Sequence, residues 1–336
     1  MVSKRKHLVE RWSRQEWRGR YRQLLACWQA RRELGQLSLP QHAGRWDLRG
    51  INLEIESPVP GNIELPNGLV VDFVRGPRPI FKGVQFCDVD FSYANLGRAV
   101  FEGCSFSNVL LREANGSGVN DQGSTFQDVD LFKADWRNAT LGLDGARYEQ
   151  VSFQRTDLRR VHCYRGYFVD CDFSNARLEH VDFQVSHFVR CKFKGKLKRV
   201  WFRGYYALPN HEKTYGKTEF NLMKDIDFSE AELWDVVFTN NCDLSQVIPP
   251  QDGKHVLFRD WPGTLVEAWQ EVEQKWEGVF REEAVRHLDN LGVHENPMRI
   301  LNLDFEASLV RKGFPEPDRS EEFVQAFIDL LLRSRV

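Results

Sequence analysis

The sequence predicts a mainly β-structured solenoid with helical segments at both ends. Three observations carry this. Phe and Leu recur at every fifth residue through the middle of the 336-residue chain. The residue two places before each of them is small or β-branched almost throughout. Outside this region the apolar spacing turns helical and the charge changes sign.

The first segment, residues 1–44, reads as a basic helical piece. Residues 1–45 carry 11 Lys/Arg against 3 Asp/Glu. Leu8, Trp12, Tyr21, Leu24, Leu25 and Trp28 recur at roughly helical spacing. Arg11, Arg14, Arg18 and Arg22 make up its basic face. Such a face would engage phosphates, a membrane surface, or the acidic C-terminal helices of the same chain or a second copy.

Residues 45–248 are assigned to the solenoid. A first coil is expected around Leu48 and Leu53, with Trp46 and Ile51 two places before each. Residues 57–79, rich in Pro and Gly, then break the rhythm and read as a hairpin or loop insert. From Phe81 the central positions are Phe86, Phe91, Leu96, Phe101, Phe106 and Leu111, then Phe126, Leu131, Trp136 and Leu141. A second run, two residues out of phase, is Phe153, Leu158, Cys163, Phe168, Phe173, Leu178, Phe183, Phe188 and Phe193. A third is Phe228, Leu233 and Phe238. Of these 25 positions, counting Gly116 and Asp121 in the gap, 22 hold Phe, Leu or Trp. No helix or flat sheet has a period of five, so the pattern is read as a repeat architecture.

Two further interruptions are expected to carry contacts. REANGSGVNDQGS (112–124) replaces two repeats without changing phase and reads as an outward loop offering Asn115, Asn120 and Asp121 to a partner. Residues 194–225 form a larger insert, basic and aromatic. There and just before it, Lys192, Lys194, Lys196, Lys198, Arg199 and Arg203 lie beside Trp201, Phe202, Tyr205 and Tyr206. Basic residues interleaved with aromatics point to nucleic acid or an acidic partner; the alternative is an insert folded onto the solenoid with its aromatics buried.

Residues 249–336 read as an acidic helical domain. Residues 251–336 carry 11 Lys/Arg against 17 Asp/Glu. Thr264 would cap a first helix, with Leu265, Trp269, Val272, Trp276, Val279 and Phe280 on one face. A second spans 296–313, starting near Pro297, and a third 320–335, starting at Ser320. With Trp269, Trp276, Phe323 and Phe327 these helices are expected to cap the open end of the solenoid. A homodimer through them is the second arrangement.

Segments such as DFSYANLGRAVF (90–101) and CDFSNARLEHVDF (171–183) resemble the pentapeptide-repeat family, whose unit is A-(D/N)-L-x-x. The resemblance covers about Phe81 to Leu244, half of the chain. It implies a right-handed quadrilateral β-helix in which five residues make one side and 20 complete a coil. The central Phe or Leu and the small residue before it then point inward. Phe81 lies below Phe101, Phe86 below Phe106 and Phe126, and Phe153 below Phe173 and Phe193. Small bacterial members of the family confer quinolone tolerance by imitating DNA and binding type II topoisomerases, with outward loops needed for protection.

The sequence assigns no catalytic, cofactor or metal residues. It holds no Walker loop, G-x-S-x-G, G-x-G-x-x-G or H-E-x-x-H. Its nine His form no ligand pattern. Cys171 and Cys191, both in the small inward position, read as core filling rather than a redox or metal pair. Seven Cys without a C-x-x-C pair, no secretory signal and no long apolar run point to a cytoplasmic protein. The functional expectation is a non-enzymatic scaffold of bacterial type, binding protein partners through its faces, loops and helical flanks. DNA mimicry is the alternative, although residues 79–195 hold 15 Asp/Glu and 14 Lys/Arg and lack the strong negative field it needs. Nucleic-acid binding through the basic head and the 194–225 insert is a second alternative.

Overall fold

The computed structural model describes residues 2–30, 34, 37, 39–53, 59–64, 70–75, 78–208, 210–293 and 296–335. The fold is a right-handed quadrilateral β-helix of about 8 turns with helices before and after it. The chain divides into two compact units, residues 1–161 and 162–336.

Unit 1 opens with helices α1 (Val2–Glu10) and α2 (Gln15–Gln29). Leu8, Trp12, Leu24 and Trp28 are buried, as their spacing predicts, while Tyr21 and Leu25 are half-buried and Trp17, outside that pattern, is buried as well. Trp28 closes the mouth of the solenoid, 5.6 Å from the Phe81 ring and 5.4 Å from Phe86. The first coil holds Leu48, Ile51 and Leu53 fully inside, with Trp46 only half-buried. α1 lies directly on it: a Cβ at Gly50, where φ is +71°, would sit 2.7 Å from the Leu8 carbonyl oxygen. Within the 57–79 stretch, Val59–Glu64 and Val70–Arg75 pair as an antiparallel hairpin.

The ladder stacks as its period requires. Phe81 lies 5.4 Å from Phe101, Phe86 4.7 Å from Phe106, and Phe106 4.6 Å from Phe126, each pair of rings nearly parallel. Parallel strand pairing holds this register, Phe106 opposite Phe126 and Val109 opposite Val129. The next coil is two residues longer. Phe126 faces Tyr148 and Val129 faces Val151, with the extra residues taken up in the Gly142–Gly145 turn. Tyr148 thus fills a core position that the five-residue count skips, stacked 5.0 Å from Phe126.

Two local devices explain the polar part of the repeat. At several corners an Asp or Asn precedes the central residue and accepts, through its side chain, the backbone N–H two positions on: Asn95 from Gly97, Asn115 from Ser117, Asp135 from Arg137, Asp157 from Arg159. This is an Asx turn, which closes the corner. The residue two places after the centre then takes a left-handed conformation, as at Arg98 (φ +61°), Glu113 (+54°), Lys133 (+57°) and Asn138 (+56°). That conformation strains L-residues, so each corner is held by the ladder hydrogen bonds above and below it.

Residues 112–124 are not an outward loop. They continue the coil, with Ala114, Val119 and Ser124 inward and Asn115 bridged to Asn95 on one side and Asp135 on the other. Gly116 and Asp121 occupy two central positions. The Trp136 side chain, one coil further on, fills the space that a side chain at Gly116 would need.

In unit 2 the ladder continues with Phe168 on Phe188 (5.0 Å), Phe173 on Phe193 (4.7 Å) and Phe193 on Phe228 (4.9 Å). Residues 194–203, expected to belong to an insert, are instead part of a strand, Lys192–Arg203. It runs between Leu178–Gln184 and Ile226–Thr239, Leu197 opposite Leu178 and Leu233, and Phe202 opposite Phe183 and Phe238. One step is 19 residues rather than 20, so counting by fives from Phe193 misses both Leu197 and Phe202. The excursion that leaves the coil is 204–222, with the short helix α3 (His211–Tyr215).

The C-terminal domain packs on the last coil. α4 (Trp261–Lys275) and α5 (Gly278–Gly292) replace the single long helix expected from Thr264. Asp260, not Thr264, is the cap, accepting the Gly263 N–H at 3.0 Å. Arg299–Asn302 forms a strand with His255–Phe258, so α6 (Leu303–Gly313) begins later than Pro297. α7 (Ser320–Arg333) starts where its acidic first turn predicts. Trp261, Leu288, Phe323 and Phe327 are central to this domain's own core.

This domain seals the exposed edge of strand Ile226–Thr239 with side chains. The Leu233 N–H donates to His255 Nε2 at 3.0 Å, and the Leu233 carbonyl accepts from Asn302 Nδ2 at 2.9 Å. Asn302 also caps α6, its Oδ1 accepting the Phe305 N–H at 3.1 Å. His255 Nδ1 faces Asp252 Oδ1 at 2.9 Å, so the neutral ring with its proton on Nδ1 satisfies both contacts. Trp234 of the strand meets Phe305 of α6 at 5.4 Å.

Candidate functional site

The residues expected to bind a partner fall into three places. The first is the strand Lys192–Arg203. A strand sends alternate side chains to one face, so Lys192, Lys194, Lys196 and Lys198 emerge together from the solenoid. Each meets a carboxylate of a neighbouring strand. Lys192 and Lys194 share Glu230, Lys196 binds Glu232 at 2.8 Å, and Lys198 binds Glu179 at 2.9 Å. Arg199 faces Asp235 at 3.7 Å, and Arg203 binds Asp182 at 2.8 Å. Hydrogen bonds from Lys192 and Lys194 hold the Glu230 carboxyl down at about 2. Lys196 also lies over the Trp234 ring, 4.4 Å from its centre. The basic run is therefore half of a charge-matched sheet face, without the open positive field that would gather phosphates.

The second place is the 204–222 excursion. It leaves the coil at Gly204, where any side chain would collide with the backbone of Asn240 and Asn241. It then folds back onto the solenoid. Tyr206 is buried, and its hydroxyl donates to the Gly216 carbonyl at 2.9 Å. Tyr215 stacks on Tyr164 at 4.7 Å, and His211 Nδ1 meets Gln184 Oε1 at 3.0 Å. Burial pushes the Tyr164 hydroxyl up to about 12. The return is tied by Asn221 N–H to the Gly204 carbonyl (2.8 Å) and Phe188 N–H to the Leu222 carbonyl (2.6 Å). With the loop fixed this way, Leu208, Phe220 and Leu222 remain exposed, and Tyr205 packs 5.0 Å from Phe220. Trp201 is half-buried on the strand.

The remaining residues are dispersed in unit 1. Asn115 is a rung of the corner ladder, its Nδ2 donating to Asn95 Oδ1 at 2.8 Å. Asn120 is bridged between Val100 and Thr140. Asp121 is wholly buried inside the coil. None of the three projects as a loop contact. Arg11 is also removed from the basic face: it is buried, and its guanidinium grips both oxygens of Asp47 at 2.8 Å. Arg14, Arg18 and Arg22 are exposed on α2 and at its N-terminal cap.

The acidic partners Glu179, Glu230 and Glu232, and the packing residues Tyr164, Gln184, His211 and Tyr215, escaped the sequence reading. The signal was present in the period-two spacing of Lys192 to Lys198, matched by Glu230 and Glu232 two apart. Among the described residues no group of three His, Cys, Asp or Glu is placed to hold a metal ion. No helix of the described residues is long and apolar enough to cross a membrane.

A family model described as pentapeptide repeats (8 copies) matches residues 80–115 and 94–131. That stretch of the coil is built of pentapeptide repeats. Among solved structures, the coil is similar to a trypsin-treated form of QnrB1, a plasmid-mediated fluoroquinolone resistance protein. The identity is 14% over 58% of this chain and 92% of that one, with a TM-score of 0.27. It is also similar to HetL, a pentapeptide-repeat protein involved in heterocyst differentiation regulation in the cyanobacterium Nostoc sp. strain PCC 7120. There the identity is 20% over 52% of this chain and 90% of that one, with a TM-score of 0.24. Overlays this loose carry no argument about function. No curated protein matches the sequence.

Proposed function

We propose that this protein is a non-enzymatic scaffold that binds a protein partner through the 204–222 loop and the sheet face beside it. The observation that supports it best is the exposure of Leu208, Phe220 and Leu222 on a loop anchored at both ends. A loop already ordered loses little entropy on binding, and apolar side chains ringed by charge are the usual anatomy of a recognition patch. The paired charges on Lys192–Arg203 favour a protein partner over nucleic acid, because each cation already has a carboxylate.

The test is site-specific photocrosslinking in the source cells, with a photoreactive residue at position 220 and, as control, at Gln127 on the solenoid surface. One discrete adduct is expected from position 220, absent from the control and lost when Leu208 and Leu222 are changed to Ser. The same adducts from both positions would overturn the proposal.

A further inference from the structure

We propose that the basic N-terminal cap of one chain docks on the acidic helical domain of a second copy. Arg14, Arg18 and Arg22 would pair with Glu273, Glu277 and Glu282 at the α4–α5 junction. The three arginines stand four residues apart, Arg14 at the N-cap and Arg18 and Arg22 within α2, and all three are exposed beside the face that buries Trp17, Leu24 and Trp28. Like charges at this spacing repel along a helix, so the stripe works against the element that carries it. None has an acidic partner among the described residues. Arg14 rests against His7, and Arg18 donates to the Ser13 carbonyl. Arg11, on the same segment, shows the contrast, since its charge is consumed by Asp47.

The complementary charge lies at the other end of the chain. Glu273 lies in the last turn of α4, Glu277 at the N-cap position of α5 and Glu282 in its second turn; all are exposed and without an ion pair among the described residues. Their neighbours are already engaged, Glu271 by Lys275 and Arg333, and Glu283 by Arg286. Arg281 is the opposing cation here, which leaves the junction net acidic. Nucleic acid could meet the same arginines, but the whole chain carries a net charge of −2 and the other basic run is neutralised. A second copy supplies the missing carboxylates. The contact is heterologous, since neither patch complements itself.

Sedimentation equilibrium of the full chain tests this. At low salt the average mass should rise above that of one chain with increasing concentration, and at about 0.5 M salt it should fall back, because exposed ion pairs are screened. The triple variant Arg14→Glu/Arg18→Glu/Arg22→Glu should stay monomeric, as should Glu273→Lys/Glu277→Lys/Glu282→Lys. An equimolar mixture of the two should associate again, with circular dichroism confirming that both are folded. A mixture that stays monomeric, or a native chain of single mass at every concentration, would overturn the proposal. So would retention of duplex DNA or anionic vesicles by the arginine face of a monomeric chain.

Discussion

Asp121 sits where Phe or Leu fills nearly every other corner. It is wholly buried, with Oδ1 accepting the Gly142 N–H at 2.9 Å and Oδ2 left without a partner. Burial pushes its carboxyl well above the usual 3.8. The folded chain therefore keeps a proton that the unfolded chain releases, and this position loses stability as pH rises above about 4. Asp121→Leu should raise stability by about 1–3 kcal/mol near neutral pH. Asp121→Asn should flatten the pH dependence, read as the wild-type-minus-variant difference in urea midpoints between pH 4.5 and 8. Gly116 is the converse case. Gly116→Leu restores the repeat pattern yet drives a side chain into the Trp136 ring. It should cost about 1–3 kcal/mol, and adding Trp136→Leu should recover most of the loss.

At the scale of elements, both ends of the solenoid are closed by side chains that replace missing strand partners. Arg11 and Arg49 converge on Asp47. Burial alone would raise that carboxyl, but the two guanidinium groups hold it far below its usual range. Its contribution is present above about pH 4 and is lost as acid protonates it. Arg11→Ala leaves a buried carboxylate with half its partners and should cost about 3–5 kcal/mol in unit 1, measured by denaturant unfolding. Asn302→Ala removes a helix cap and an edge cap at once. It should cost about 1–2 kcal/mol and speed amide exchange at the edge beside Leu233. The ladder was legible because a period of five has no competing explanation. Its phase changes were not, since a step of 22 or 19 residues hides Tyr148, Leu197 and Phe202 from any fixed count. The 112–124 stretch misled because Gly and Asn signal turns, and this fold turns at every corner. The loop anchors Tyr164, Gln184 and His211 lay beyond reach, as only the folded coil brings them together.

At the scale of the whole chain, the acidic domain carries a pH dependence of its own. Glu306 of α6 is buried. Desolvation pushes its carboxyl up to about 7, opposed by Arg299 and reinforced by Asp235 of the last coil. Stability from this site declines as pH rises from about 4.5 through 7, because the unfolded chain ionises first. Glu306→Gln should therefore gain in thermal midpoint at pH 8 and little at pH 5, compared with wild type by differential scanning calorimetry. The Gly116–Trp136 pair bears on how such a chain grows. Tandem duplication produces interchangeable units only while each fits any neighbour. Excising residues 112–131 would keep the five-residue rhythm and leave a plausible-looking sequence, but it would set Trp136 against Leu96, with no vacant corner to receive the indole. At that point the repeats have ceased to be modules, and their order has become heritable information.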